Sequence, residues 1–130
     1  MTTRGIRGAI TVNADQPDLI LAATQEMLEA ILRVNAGLKT EDIASVLFTT
    51  TDDLVSVHPA KAARQMGWER VPMMCAREIP VPGSLPRCVR VLVEWNTDKV
   101  QTAIKHIYLR EAVSLRPDLV GSEQVEIALK

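Results

Sequence analysis

At 130 residues, with 47% hydrophobic and 24% charged side chains, the chain has the size and composition of one folded domain with a real core. A net charge of −1 excludes the basic surplus of a general nucleic-acid binder, and 3% aromatic residues leave little for base-stacking platforms. The basic residues are ten arginines to five lysines, a bias suited to planar, bidentate recognition of carboxylate or phosphate.

Alternation predicts a first strand over roughly residues 5 to 13, with Ile6, Ile10 and Val12 on one face and Arg7 on the other. Asp15 or Gln16 then caps a helix with Pro17 in its first turn. Ile20, Ala23, Met27, Ile31 and Val34 recur at helical spacing, and Gly37 ends the run. Thr40 to Ile43 reads as a single capped turn, and Ser45 to Thr51 as a second, β-branched strand. A short helix is expected from Pro59 to Met66 and a third strand from Val71 to Glu78, with Pro72 at an edge or at its start. The segment Pro80 to Pro86 is a stiff loop leading into a fourth strand through Val93. Asp98 caps a short helix through Ile104, and His106 to Leu115 reads as a fifth strand, with a helix as the alternative. The sum is an α+β fold with a five-stranded mixed sheet, one long helix and short helices. It forms a single domain over residues 1–119, followed by a flexible tail over 120–130.

Within the fourth strand Val89, Val91 and Val93 share one face, and Cys88, Arg90 and Leu92 the other. A guanidinium keeps its charge at any ordinary pH, so its burial requires anionic or hydrogen-bonding partners. Arg7 is placed similarly, and two arginines on apolar strands point to a small anionic ligand held away from water. One long helix covers one sheet face only. The other, expected to carry Arg7, Cys75 and Arg90, then calls for a second copy of the chain, with a site between subunits. Cys75 and Cys88, with His58 and His106, show no metal-ligand spacing and no disulfide framework. The absence of a signal peptide and of any long apolar run suggests the cytoplasm, with reduced thiols and no membrane span.

The runs Arg4-Gly5-Ile6-Arg7-Gly8-Ala9, Cys75-Ala76-Arg77-Glu78, Arg87-Cys88-Val89-Arg90-Val91, His106-Ile107-Tyr108-Leu109 and Leu115-Arg116-Pro117-Asp118-Leu119 together resemble the monofunctional AroH-type chorismate mutases. The likeness runs from Arg4 to about Leu119, and no one of the motifs is specific alone. It implies a homotrimeric pseudo-α/β-barrel with active sites between subunits, no cofactor, and conversion of chorismate to prephenate on the way to phenylalanine and tyrosine. It also implies roles. Arg90 would donate to the breaking ether and a carboxylate, and Arg7 would bind a carboxylate. Glu78 would accept from the ring hydroxyl with Cys75 close by, and Tyr108 would donate its phenol. Met74, Ala76, Arg77, His58, Ala60, Lys61, Arg64, Leu115 and Arg116 would complete the substrate-binding set, with the His58 to Arg64 segment supplied by a neighbouring subunit. His58 stands where the family pattern has phenylalanine, and Met74 where it has threonine.

Read without the resemblance, Arg90 is better taken as an ion pair with Glu78 or Glu94, Cys75 as a small buried residue, and Lys61 and Arg64 as a solvated helix face, while Tyr108 fits a core tyrosine equally well. Two other functions stay open at this level. One is a trimeric imine or enamine deaminase; the other is a non-catalytic binder of an aromatic-pathway metabolite.

Overall fold

The computed structural model describes residues 1–115 and the backbone of a short strand at 125–128. Strand β1 (Thr2–Thr11) pairs antiparallel with β4 (Cys88–Thr97) along the full length of both. β2 (Ile43–Thr50) lies on the other side of β4 and carries β3 (Met73–Arg77) parallel at its outer edge. β5 (His106–Leu109) adds parallel to β1, and β6 (Val125–Ala128) parallel to β5, giving the order β3-β2-β4-β1-β5-β6. The sheet therefore has six strands rather than five. The sixth comes from a stretch assigned to the tail. Its four residues are too short to carry a pattern, and pairing to the open edge of β5 is what orders them.

Helix α1 (Pro17–Val34) packs its buried stripe of Ile20, Ala23, Met27, Leu28 and Ile31 on one sheet face. That face offers Ile6 and Ile10 from β1, Val89, Val91 and Val93 from β4, Phe48 from β2, and Ile107 and Leu109 from β5. The helix approaches closest over Gly8, where an added Cβ would stand 3.0 Å from both Ile31 Cδ1 and Val91 Cγ1. At its end the buried Asn35 amide donates to the carbonyls of Ile31 and Lys105 and accepts from the Lys105 N–H, tying α1 to the approach of β5. Helix α2 (Ala60–Gln65) buries Ala60, Ala62 and Ala63 and packs beside α1 and β3.

Several expected boundaries move. Gln16 occupies the cap position of α1 without a side-chain bond, because Asp15 instead accepts from the Val55 and Ser56 N–H groups and ties down the loop after β2. The expected helix after Asp98 is one 3₁₀ turn, Gln101–Ala103. The fifth strand stops at Leu109, where Arg110 turns into the left-handed region (φ 56°) and a 3₁₀ helix, Arg110–Leu115, follows. The strained backbone at Arg110 is held from its side chain, which donates to the Thr11 carbonyl and to Glu26. Among the described residues no helix is long and apolar enough to cross a membrane.

Candidate active site

Strand register sets out the open face as rows. One row runs Ala76, Thr49, Arg90, Ala9 and Tyr108 across β3, β2, β4, β1 and β5. The next runs Met74, Leu47, Leu92 and Arg7 across the first four of these strands. Met74 is 71% exposed, and Leu47 and Leu92 also show their side chains to solvent, so this row is an apolar stripe beside the arginines. Ala9 stands between Arg90 and Tyr108 and fills almost none of the space its neighbours leave. That space is a hollow lined by Arg7, Gly8, Ala9, Arg90, Val91, Tyr108 and Leu115. The left-handed turn at Arg110 brings Leu115 back over it.

Arg90 reaches this hollow from a dry base. Beneath it Ala9, Cys88, Tyr108 and Ala112 form a small buried cluster of their own. Burial pushes the Cys88 thiol up from its ordinary value, against the smaller pull of the Arg90 guanidinium, so the sulfur stays a neutral thiol. Arg90 Nε is buried and has no hydrogen-bond partner among the described residues. The nearest anion is Glu78, whose Oε2 lies 3.6 Å from that Nε, an ion pair too long for a hydrogen bond. Glu78 Oε2 is occupied instead by the Thr49 hydroxyl, which donates to it at 2.5 Å. An orphaned donor on a permanent cation, at the edge of a hollow, is an arrangement that awaits an acceptor. The Arg7 guanidinium has no ion pair among the described residues, while its backbone N–H donates to His106 Nδ1 at 2.9 Å. His106 is thus a structural extension of the β1–β5 ladder.

Arg7, Arg90, Glu78, Tyr108 and Leu115 are thus brought to one face. Alternation predicts it for Arg7, Arg90 and Tyr108, whereas Leu115, expected beside Ile107 on the opposite face, arrives through the 3₁₀ turn after Arg110. Cys75 is not brought there. It pairs in register with the buried Phe48 and packs on the helix side of the sheet, correcting the shared face expected for it. There it lines a second hollow with Thr50, Leu54, His58, Pro59, Ala76 and Arg77. Ala60 is buried in the core, so its side chain is closed to any ligand, while Lys61 and Arg64 stand exposed on α2. Arg77 is engaged by Asp52, its Nη1 lying 3.3 Å from Oδ1. Within one chain, therefore, the His58 to Arg64 segment lies on the helix side of the sheet and Arg90 on the open side. Arg116 lies outside the described residues. Sequence reasoning missed Thr49 and Ala9, both visible only once cross-strand register places them on either side of Arg90.

Among the described residues no group of three or more His, Cys, Asp or Glu is arranged to hold a metal ion. The site offers fixed cations, a carboxylate and a phenol, which suits binding and electrostatic stabilisation of a small dianion.

The family described as chorismate mutase type I matches residues 3–119. Chorismate mutase AroH of Thermus thermophilus is 57% identical over 120 residues, covering 92% of this chain and 98% of that protein. Chorismate mutase AroH of Bacillus subtilis is 44% identical over 128 residues, 98% of this chain and all of the relative. A solved chorismate mutase from Clostridium thermocellum superposes with a TM-score of 0.82 at 48% identity, over 85% of this chain and 97% of that one. These matches leave the deaminase alternative without support. With the family model matching residues 3–119 and two relatives covered over nearly their whole length, the chain belongs to the type I chorismate mutase family.

Proposed function

We propose that the protein catalyses the rearrangement of chorismate to prephenate at a site completed between subunits of a homotrimer, without a cofactor. The reaction is unimolecular and pericyclic: an ether C–O bond breaks as a C–C bond forms, and no nucleophile or general base is required. The protein has to hold the substrate's side chain folded over its ring and stabilise negative charge gathering on the ether oxygen. Arg90 donates its unsatisfied Nε and its terminal nitrogens to that oxygen and to a neighbouring carboxylate. Arg7 and Tyr108 bind carboxylate oxygens and fix the reactive conformer. Glu78 accepts from the ring hydroxyl through the oxygen that Thr49 leaves free. Leu115 covers the ligand.

The observation that carries this reading is the buried Arg90 Nε, without a hydrogen-bond partner among the described residues, on an arginine that lines a hollow on the face that α1 leaves bare. The hollow measures about 160 Å³, well below the roughly 300 Å³ at the small end of ligand sites. A second wall is needed, and the apolar stripe of Met74, Leu47 and Leu92 beside it is suited to receive one. The His58 to Arg64 segment and Cys75, on the opposite side of the sheet near the β3 edge, then serve the site of the adjoining subunit. There the backbone of Met74 to Arg77 and the cationic Lys61 and Arg64 face the dianion, and His58 packs against it. Purified protein is expected to bleach the ultraviolet absorbance of chorismate far faster than the uncatalysed rate, with chelator making no difference. Arg90→Ala lowers turnover by roughly two to three orders of magnitude, as loss of an oxyanion donor does. A loss of only a few-fold would make Arg90 a structural ion-pair partner of Glu78 and remove the reading. Tight binding of chorismate without turnover would instead leave a metabolite binder.

A further inference from the structure

We infer that Thr49 is a positioning residue for this reaction: its hydroxyl holds Glu78 back from Arg90, so that both charges stay open to substrate. The inference rests on the function proposed above and adds a residue to it. Thr49 sits directly across from Arg90 in the β2–β4 register and across from Ala76 in the β2–β3 register. Its Oγ1 donates at 2.5 Å to Glu78 Oε2, the same oxygen that lies 3.6 Å from Arg90 Nε.

A carboxylate left beside a guanidinium closes to a charge-assisted contact of about 2.7–2.9 Å, often bidentate. Here it has not closed, and the buried Nε goes without any hydrogen bond. The Thr49 hydroxyl supplies the cause. It anchors Oε2 on the β2 side and satisfies part of its charge. Arg90 is thereby kept as a donor that is already desolvated and unspent, the condition in which a donor acts most strongly on charge that develops during reaction. Glu78 next to Arg90 is otherwise a competitor for the substrate's own ether oxygen and carboxylate. Thr49 decides whether that competitor is engaged.

Thr49→Val keeps the β-branched shape of the strand position and removes only the donor. Glu78 then swings onto Arg90, and substrate must break that pair to bind. The expected result is a fall in kcat/KM of roughly tenfold, the worth of one charge-assisted hydrogen bond, carried mostly by KM. Thr49→Ser, which retains the hydroxyl, recovers most of the loss. Glu78→Gln made in the Thr49→Val background removes the competing charge, so the two substitutions combine to less than the sum of their separate effects. The inference is overturned if Thr49→Val matches the wild type in kcat/KM, if Thr49→Ser is as impaired as Thr49→Val, or if the Thr49→Val and Glu78→Gln effects simply add. Arg90→Ala measured in the same series separates this failure from that of the parent reading. A large loss there with no Thr49 effect rejects the inference alone, and a loss of only a few-fold rejects both.

Discussion

A guanidinium placed on a strand whose other face is all valine cannot retreat into the core, because Val89, Val91 and Val93 fill the helix side. It is therefore delivered to the open face with its Nε already dry. This much follows from period-two alternation, and Arg90 was legible on that ground alone. Its partners were not. Cys75 was expected on the same face, yet the phase of β3 relative to β4 is set by cross-strand register, which shifts every side chain when it slips by one residue. Two titrating groups make the local physics testable. The Ser56 hydroxyl, with the Val55 and Ser56 N–H groups, holds the Asp15 carboxyl below its ordinary value. A carboxylate held low in the native state stabilises above the unfolded value of about 3.9, and that contribution is lost as pH falls through the native one. Asp15→Asn is expected to unfold at lower denaturant than the wild type at pH 7, the difference shrinking as pH falls below about 3.9. The Cys88 thiol has the opposite leaning, since burial raises it. The unfolded chain then ionises first, so stability is drained once pH rises above about 8.5. Denaturant titrations of wild type and Cys88→Ala should show the wild type's advantage narrowing between pH 8 and about 10; a constant gap would contradict the assignment.

At the scale of elements, α1 was the easiest to read, since its buried stripe matches the 3.6-residue period along the whole helix. Short elements were harder. The fifth strand, read as continuing to Leu115, breaks at Arg110 because the side chain of that residue finds Thr11 and Glu26 and stabilises a left-handed backbone. No local pattern announces a turn whose partners are about a hundred positions away. That break brings Leu115 over the hollow rather than out along the sheet. Two substitutions examine how the elements are held. Gly8→Ala would push a methyl to 3.0 Å from Ile31 and Val91, and overpacking of this kind costs about 1–3 kcal/mol. Asn35→Ala removes three side-chain hydrogen bonds, two joining the end of α1 to Lys105 and one to the Ile31 carbonyl, with an expected loss of roughly 2–3 kcal/mol by denaturant unfolding. Changes below about 0.5 kcal/mol in either would place the α1–sheet contact elsewhere.

For the whole molecule, the sheet is asymmetric: one face closed by α1, the other covered only near β5, by the Arg110–Leu115 turn, and crossed by an apolar stripe. The sequence predicted that a second copy should cover it, from the mismatch between one long helix and a sheet with two faces. On the proposed assembly, Leu47→Asp or Leu92→Asp sets a charge in the covered stripe. Light scattering should then report monomer in place of trimer, with activity lost although the monomer still melts cooperatively. Trimer and activity persisting in both variants would move the interface to another surface. The sixth strand and the placement of Thr49 lay beyond the sequence because both depend on which edges the fold leaves open. The most direct test of the account is a crystal structure with a bicyclic ether dicarboxylate, a mimic of the rearranging substrate. The ligand is expected between two subunits, with Arg90 donating at about 3 Å to its ether oxygen and Glu78 still held by Thr49. A ligand bound elsewhere, or an Arg90 closed onto Glu78 with the ligand in place, would contradict the account.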